Sequence, residues 1–219
     1  MGKQALTLDE TRDMLAYVAA EMQRNQDLLS EADRAIGDGD HGIGMARGFC
    51  AVGRVLGERS FAGVGALYDA VGMTLLTSVG GASGAIFGTL FRAGAASLKE
   101  QQTFDSSALS RLLLDGLAGV TARGKARVGD KTMVDVLEPA ARCCAELTET
   151  CQGEVLAAVT EAAKVGMAST KDMLAAVGRA RSLGERARGH VDPGAVSLYL
   201  ILRSMSMYVT QLEQSVGPA

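Results

Sequence analysis

Proline interrupts this chain only three times in 219 residues, at Pro139, Pro193 and Pro218. A backbone that so rarely has its φ fixed or loses an N–H donor is free to run in long helices. Alanine, leucine and methionine are plentiful and aromatic residues make up only 4%, which favours helix. The apolar spacing agrees. Met14, Val18 and Met22 recur every four residues, with Leu15 beside them. Leu109, Leu112, Leu113, Leu117 and Val120 form a second stripe, and Val155, Leu156, Val159 and Ala163 a third. Such stripes mark amphipathic helices. No run alternates convincingly with period two.

Eight helices are therefore expected. Thr7 and Glu10 form a capping box that opens a helix running to about Glu31. Others are predicted near 43–58, 62–78, 82–100, 105–122, 132–149, 153–176 and 193–213. Short connections favour antiparallel neighbours in one bundle. The length suits one domain, residues 1–219, with a substantial core. Val196–Val209 is apolar on nearly all faces and should be the most buried helix.

Glycine is too frequent for an ordinary bundle. The 27 glycines concentrate at 37–48, 80–88 and 178–194, all at predicted helix junctions. A glycine inside a helix costs up to ~1 kcal/mol relative to alanine, so such clusters suit close approach of backbone to a ligand or to another helix. In an antiparallel bundle, junctions at one end can converge on one site.

Four junction segments carry groups that can do chemistry. Asp33, Asp38 and Asp40 place three carboxylates in eight residues, interleaved with Gly37 and Gly39. Carboxylate oxygens are hard ligands suited to magnesium, and a divalent cation would relieve their mutual repulsion. A solvated acidic turn fits the same spacing. A calcium loop does not, because its terminal bidentate glutamate is missing. Gly80-Gly81-Ala82-Ser83-Gly84 precedes a helix and can offer amides and the Ser83 hydroxyl to phosphate, or simply pack tightly. It is not a P-loop, since no Gly-Lys-Ser/Thr follows. Gly129-Asp130-Lys131-Thr132-Met133-Val134-Asp135 reads as a helix start capped by Asp130 or Thr132. Met133 there is either core or a soft wall for a base. In the stretch Gly178–Gly194, Asp192 and Pro193 form an N-cap and first-turn pair. Its arginines suit either phosphate or solvent. His41 and His190 both fall in these junctions, where structural and functional roles are equally open.

Several classes are excluded. A net charge of -3 and a pI of about 5.5 argue against a general nucleic-acid binder. No apolar run of ~18 residues predicts a membrane span, and the start has no leader-like segment. Cys50, Cys143, Cys144 and Cys151 match neither a zinc site nor a disulfide framework and are expected to be buried, reduced thiols. The default is a cytoplasmic enzyme.

Taken together and in this order, the four segments resemble the L subunit or domain of the dihydroxyacetone kinases, from about Thr7 to Val209. The resemblance implies an all-α fold, an eight-helix antiparallel up-and-down barrel with the nucleotide at one end. It implies that Asp33, Asp38 and Asp40 coordinate magnesium, two ions in this family, and act in catalysis through it. His41, Gly42, Ile43 and Gly44 would lie along an ADP or ATP. Ala82 and Ser83 would contact phosphate. Gly124, Met133, Arg179, Asp192, Pro193 and Gly194 would complete the pocket, with Arg179 also serving catalysis.

The sequence departs from the family at Gly44, where asparagine is usual, and at Arg181-Ser182, where the family has Ser-Tyr. The family also implies a separate K subunit holding dihydroxyacetone as a hemiaminal on a histidine. No such domain fits in this chain. Either ATP exchanges freely, or ADP stays bound and is rephosphorylated by an M subunit of the phosphotransferase system. A homodimer is possible within the family. Rival expectations are a kinase subunit for a four-carbon keto sugar and a non-catalytic nucleotide-sensing subunit.

Overall fold

The computed structural model describes residues 2–216. Its elements in order are β1 (Ala5–Thr7), α1 (Leu8–Arg24), α2 (Gln26–Arg34), α3 (His41–Glu58), α4 (Val64–Ser78), α5 (Gly81–Ala95), β2 (Thr103–Asp105), α6 (Ser106–Gly124), α7 (Val134–Ala145), α8 (Gln152–Ser169) and α9 (Pro193–Val216). The capping box is present: Glu10 N donates to Thr7 Oγ1 at 3.2 Å and Thr7 N to Glu10 Oε2 at 2.8 Å.

The first predicted helix extends to Arg34 but breaks at Asn25. Both the backbone N and the side-chain amide of Asn25 donate to Glu21 O, at 3.0 and 2.8 Å. A side chain that competes for a helix carbonyl in this way bends or ends the helix. With α1 and α2 counted as one bent rod, the eight predicted helices are all found. The fourth stops at Ala95 rather than 100 and the seventh at Ser169, each running on into a short 3-10 helix, and the sixth stops at Ala145.

The rods form a closed ring. From α3 to α9 each helix packs on the next, α1 packs on α3, and α9 returns to α1. Missing side chains let neighbours meet. A Cβ on Gly72 of α4 would stand 2.8 Å from Gly88 O of α5, and one on Gly94 would stand 2.4 Å from Leu112 O of α6. Inside the ring, α9 is apolar as expected; between Ala195 and Val209 only Arg203 is exposed. Among the described residues no helix is long and apolar enough to cross a membrane.

Two features differ from expectation. β1 and β2 pair antiparallel, Leu6 opposite Phe104, and clamp the end of the ring remote from the glycine-rich junctions. Three-residue strands are too short to show period-two alternation. The cysteines are all free thiols, but Cys50 is exposed and Cys143 half-buried; only Cys144 and Cys151 are buried.

Candidate functional site

The connections 35–40, 79–80, 125–133 and 170–192 all reach one end of the ring, where they surround a cavity of about 480 Å³. The buried side chains of Phe87, Val120 and Val134 give it an apolar wall. Asp33, Asp38, Asp40 and Arg179 line it as well, so it joins an apolar recess to a charged rim.

Asp33 lies in the last turn of α2 and is buried, with Oδ2 accepting from His41 N at 3.2 Å. Gly37 makes room for it, since a Cβ there would lie 2.1 Å from Asp33 Oδ1. Asp38 and Asp40 are exposed, yet one oxygen from each of the three aspartates lies within 4.8 Å of the others. Arg179 sets its guanidinium on Asp38, with Asp40 at 3.9 Å. Three clustered anionic oxygens drawing in a cation are a donor set that fits magnesium.

Across the cavity α5 begins at Gly81, after Gly80 with φ +85° and Gly81 itself with φ +57°. Glycine tolerates this left-handed backbone. The turn exposes first-turn amides that the helix itself does not use, the usual seat for an anion. Ala82 and Ser83 lie there. Ser83 Oγ is 3.0 Å from His41 Nδ1, and His41 Nε2 is 2.7 Å from Ser197 Oγ on α9. Burial holds His41 below the usual histidine range despite the nearby Asp33 charge.

The 125–133 connection is organised by a residue the sequence did not reveal. Asp135 accepts from Gly129 N at 2.5 Å and from Thr132 N at 2.7 Å. Neither expected cap serves α7 as predicted: Asp130 accepts from Arg127 N, and Thr132 Oγ1 from Val134 N in a turn just ahead of the helix. Lys131, fully buried and at φ +61°, donates Nζ to Thr170 O and His190 O. It thereby ties both ends of the long 170–192 strap. The expected cap on α9 is present, with Asp192 Oδ2 accepting from Ala195 N at 2.8 Å. Burial pushes the Asp192 carboxyl up to about 7, against the pull of the capping amide and Lys131.

Every residue that the family resemblance placed in the site lines this cavity except Gly42. A Cβ on Gly42 would lie 2.2 Å from Gln26 O and 2.6 Å from Ser30 N, so it allows α3 to lie against α2. His190 is exposed and outside the cavity wall. Met133 is buried beside Gly194, and a Cβ on Gly124 would meet Ile86 Cδ1 at 3.2 Å. Sequence reasoning missed Arg47, Lys131, Asp135 and Ser197. Arg47 donates to Ser78 O and Val79 O, satisfying the end of α4.

Residues 35–207 match the family model of the DAK2 domain. The chain belongs to the DAK2 family, with the ADP-binding subunits of dihydroxyacetone kinases. It is 41% identical over 184 residues to the ADP-binding subunit DhaL of PEP-dependent dihydroxyacetone kinase 1 from Listeria innocua, covering 84% of this chain and 88% of that one. The DhaL subunit of the Escherichia coli PEP-dependent enzyme is 40% identical, covering 82% of this chain and 86% of its own length. An L-erythrulose kinase of Pectobacterium atrosepticum is 33% identical over 92% of this chain, but only 34% of that protein is matched. The fold superposes on the crystal structure of the C. freundii dihydroxyacetone kinase in complex with AMP-PNP and Mg2+, with a TM-score of 0.71 and 26% identity. That match covers 94% of this DAK2 chain and 35% of the kinase, so the chain spans about a third of that enzyme's length.

Proposed function

We propose that this chain binds a magnesium nucleotide and is the ADP-binding subunit of a dihydroxyacetone-type kinase. The carrying observation is the Asp33–Asp38–Asp40 cluster sharing one cavity with the α5 amino terminus and Arg179. One wall collects cations and the other offers anion-seeking amides, which is what a polyphosphate bridged by metal requires.

Bound magnesium, two ions on the family pattern, would neutralise phosphate oxygens as charge shifts. The chain's own groups would do the rest. The first-turn amides and Ser83 hydroxyl would hold phosphate oxygens, and Arg179 would turn from Asp38 towards them. Ile43, Gly44, Gly124, Met133 and Asp192 through Gly194 would enclose the nucleoside. His41 would support the phosphate end, and Gly42 would act only through packing. Phosphoryl transfer asks for positioning and charge neutralisation rather than covalent chemistry, and this site offers both.

The acceptor, dihydroxyacetone, would be held on a separate K subunit. The relatives named as PEP-dependent favour a bound ADP that an M subunit of the phosphotransferase system rephosphorylates in place. A second reading, a four-carbon keto sugar as acceptor, rests on the L-erythrulose kinase relative. The test is calorimetric titration with ADP, with and without magnesium, followed by transfer assays with purified K subunit and each sugar. Expected are magnesium-dependent ADP binding, its loss in Asp38→Ala, and transfer only when K subunit is present. Magnesium-independent ADP binding that survives Asp38→Ala would refute the assignment.

A further inference from the structure

His41 lines the cavity and is also placed to control a hydroxyl beside it. The residue is 8% exposed, its ring has a hydroxyl on each nitrogen, Ser83 at Nδ1 and Ser197 at Nε2, and the Pro193 carbonyl also lies within reach of the ring as an acceptor. The three residues begin or lie near the start of three helices, α3, α5 and α9, that come together only in the folded ring. Ser197 is fully buried, so its hydroxyl has no role in solvent.

A serine hydroxyl has one proton, and a neutral imidazole has one donor and one acceptor nitrogen. Two arrangements follow. If Nδ1 is bare, Ser83 must give its proton to the ring. It then shows the cavity only lone pairs, which repel an anion. If Nδ1 carries the proton, Ser83 accepts from the ring and its own proton is free to point at a phosphate oxygen. Nε2 is then the acceptor, and the Ser197 hydroxyl is the donor that satisfies it. A doubly protonated ring would orient Ser83 the same way, with Ser197 accepting instead.

We infer that Ser197 and His41 are positioning residues that aim the Ser83 hydroxyl at the nucleotide phosphate, through a relay running Ser197 to His41 Nε2 and His41 Nδ1 to Ser83. This rests on the proposed nucleotide reading of the site. No proton is transferred; the relay fixes which way one hydrogen bond points.

The decisive measurement is the tautomer. The chain has two histidines, so nitrogen NMR of the labelled wild-type chain and of His190→Gln assigns the His41 ring directly. With ADP and magnesium bound, the proton is expected on Nδ1. A bare Nδ1 in that complex overturns the relay.

A double-mutant cycle on the ADP Kd provides a second, independent readout. Ser197→Ala and His41→Gln should each weaken ADP about tenfold, the scale of one hydrogen bond to a charged acceptor. In a Ser83→Ala background they should change the Kd little, because the hydroxyl they aim is gone. His41→Asn, whose amide can stand in for Nδ1–H, should recover most of the affinity. A merely structural role would give equal losses in both backgrounds and no rescue, and that result overturns the proposal. If the wild-type chain fails to bind ADP, the nucleotide reading falls with the relay; if ADP binds and the losses are additive, only the relay falls.

Discussion

The Arg179 guanidinium rests on the Asp38 carboxylate, 141 positions apart in the chain, at the rim of the cavity. The strap between α8 and α9 thus reaches over the aspartate cluster and supplies the positive charge that the cluster lacks. Exposed pairs of this kind contribute about 0–1 kcal/mol, so the contact is easily exchanged.

Arg179→Ala should therefore act in opposite directions on two ligands. Without nucleotide, Mn2+ should bind a few-fold more tightly, because a competing cation is gone; electron paramagnetic resonance of free Mn2+ reads this. ADP with magnesium should bind about tenfold more weakly, because a charged donor to phosphate is lost. Parallel losses for both ligands would show that the arginine is only a scaffold.

Lys131→Met should loosen the strap. It leaves the Thr170 and His190 carbonyls without the ammonium that now joins them. A loss of about 1–3 kcal/mol is expected for the stranded groups. Hydrogen exchange should quicken over 170–192 well before α1 or α4 responds.

The pH dependence of stability has a sign fixed by Asp192. Its carboxyl ordinarily titrates near 3.8 and here is pushed up to about 7 by burial. Between those values the folded chain holds the proton more tightly than the unfolded chain. The contribution is therefore full below about pH 4 and is lost as pH rises through about 7. Asp192→Asn keeps a neutral cap for Ala195 N at every pH. Urea midpoints from pH 5 to 8 should fall less steeply in the variant than in the wild type.

Gly42→Ala tests a packing assignment. The added methyl would press on the backbone of α2 at Gln26 and Ser30, and α2 carries Asp33. A destabilisation of about 1–3 kcal/mol is expected from overpacking, read as a lower melting temperature, with weaker Mn2+ binding because Asp33 is displaced. An unchanged melting temperature combined with lost ADP binding would instead place Gly42 against the nucleotide.

The helices were legible because apolar spacing and the Thr7–Glu10 cap are local signals. The break at Asn25 was not, since nothing in the sequence tells an asparagine that takes a helix carbonyl from one that faces water. In the site, Asp33, Asp38, Asp40, Ser83 and Asp192 stood out because their chemistry sits among glycines. Lys131 stood in the Gly129–Asp135 segment with no role assigned to it. Its partners are backbone carbonyls 39 and 59 positions away, and carbonyls leave no trace in residue identity. Ser197 was hidden in the same way inside an apolar helix, its partner His41 being 156 positions distant.

The seam where α9 closes on α1 gives the molecule a folding order. Around the rest of the ring each helix meets its sequence neighbour, so contacts are local and form at little cost in chain entropy. Joining α9 to α1 and α2 must close a loop of most of the chain, and long-range closure is the slow part of folding. The contacts His41–Ser197 and Asp38–Arg179 span that same closure. Competence to bind ligand should then arrive with the last packing event, after most of the helix content is already in place.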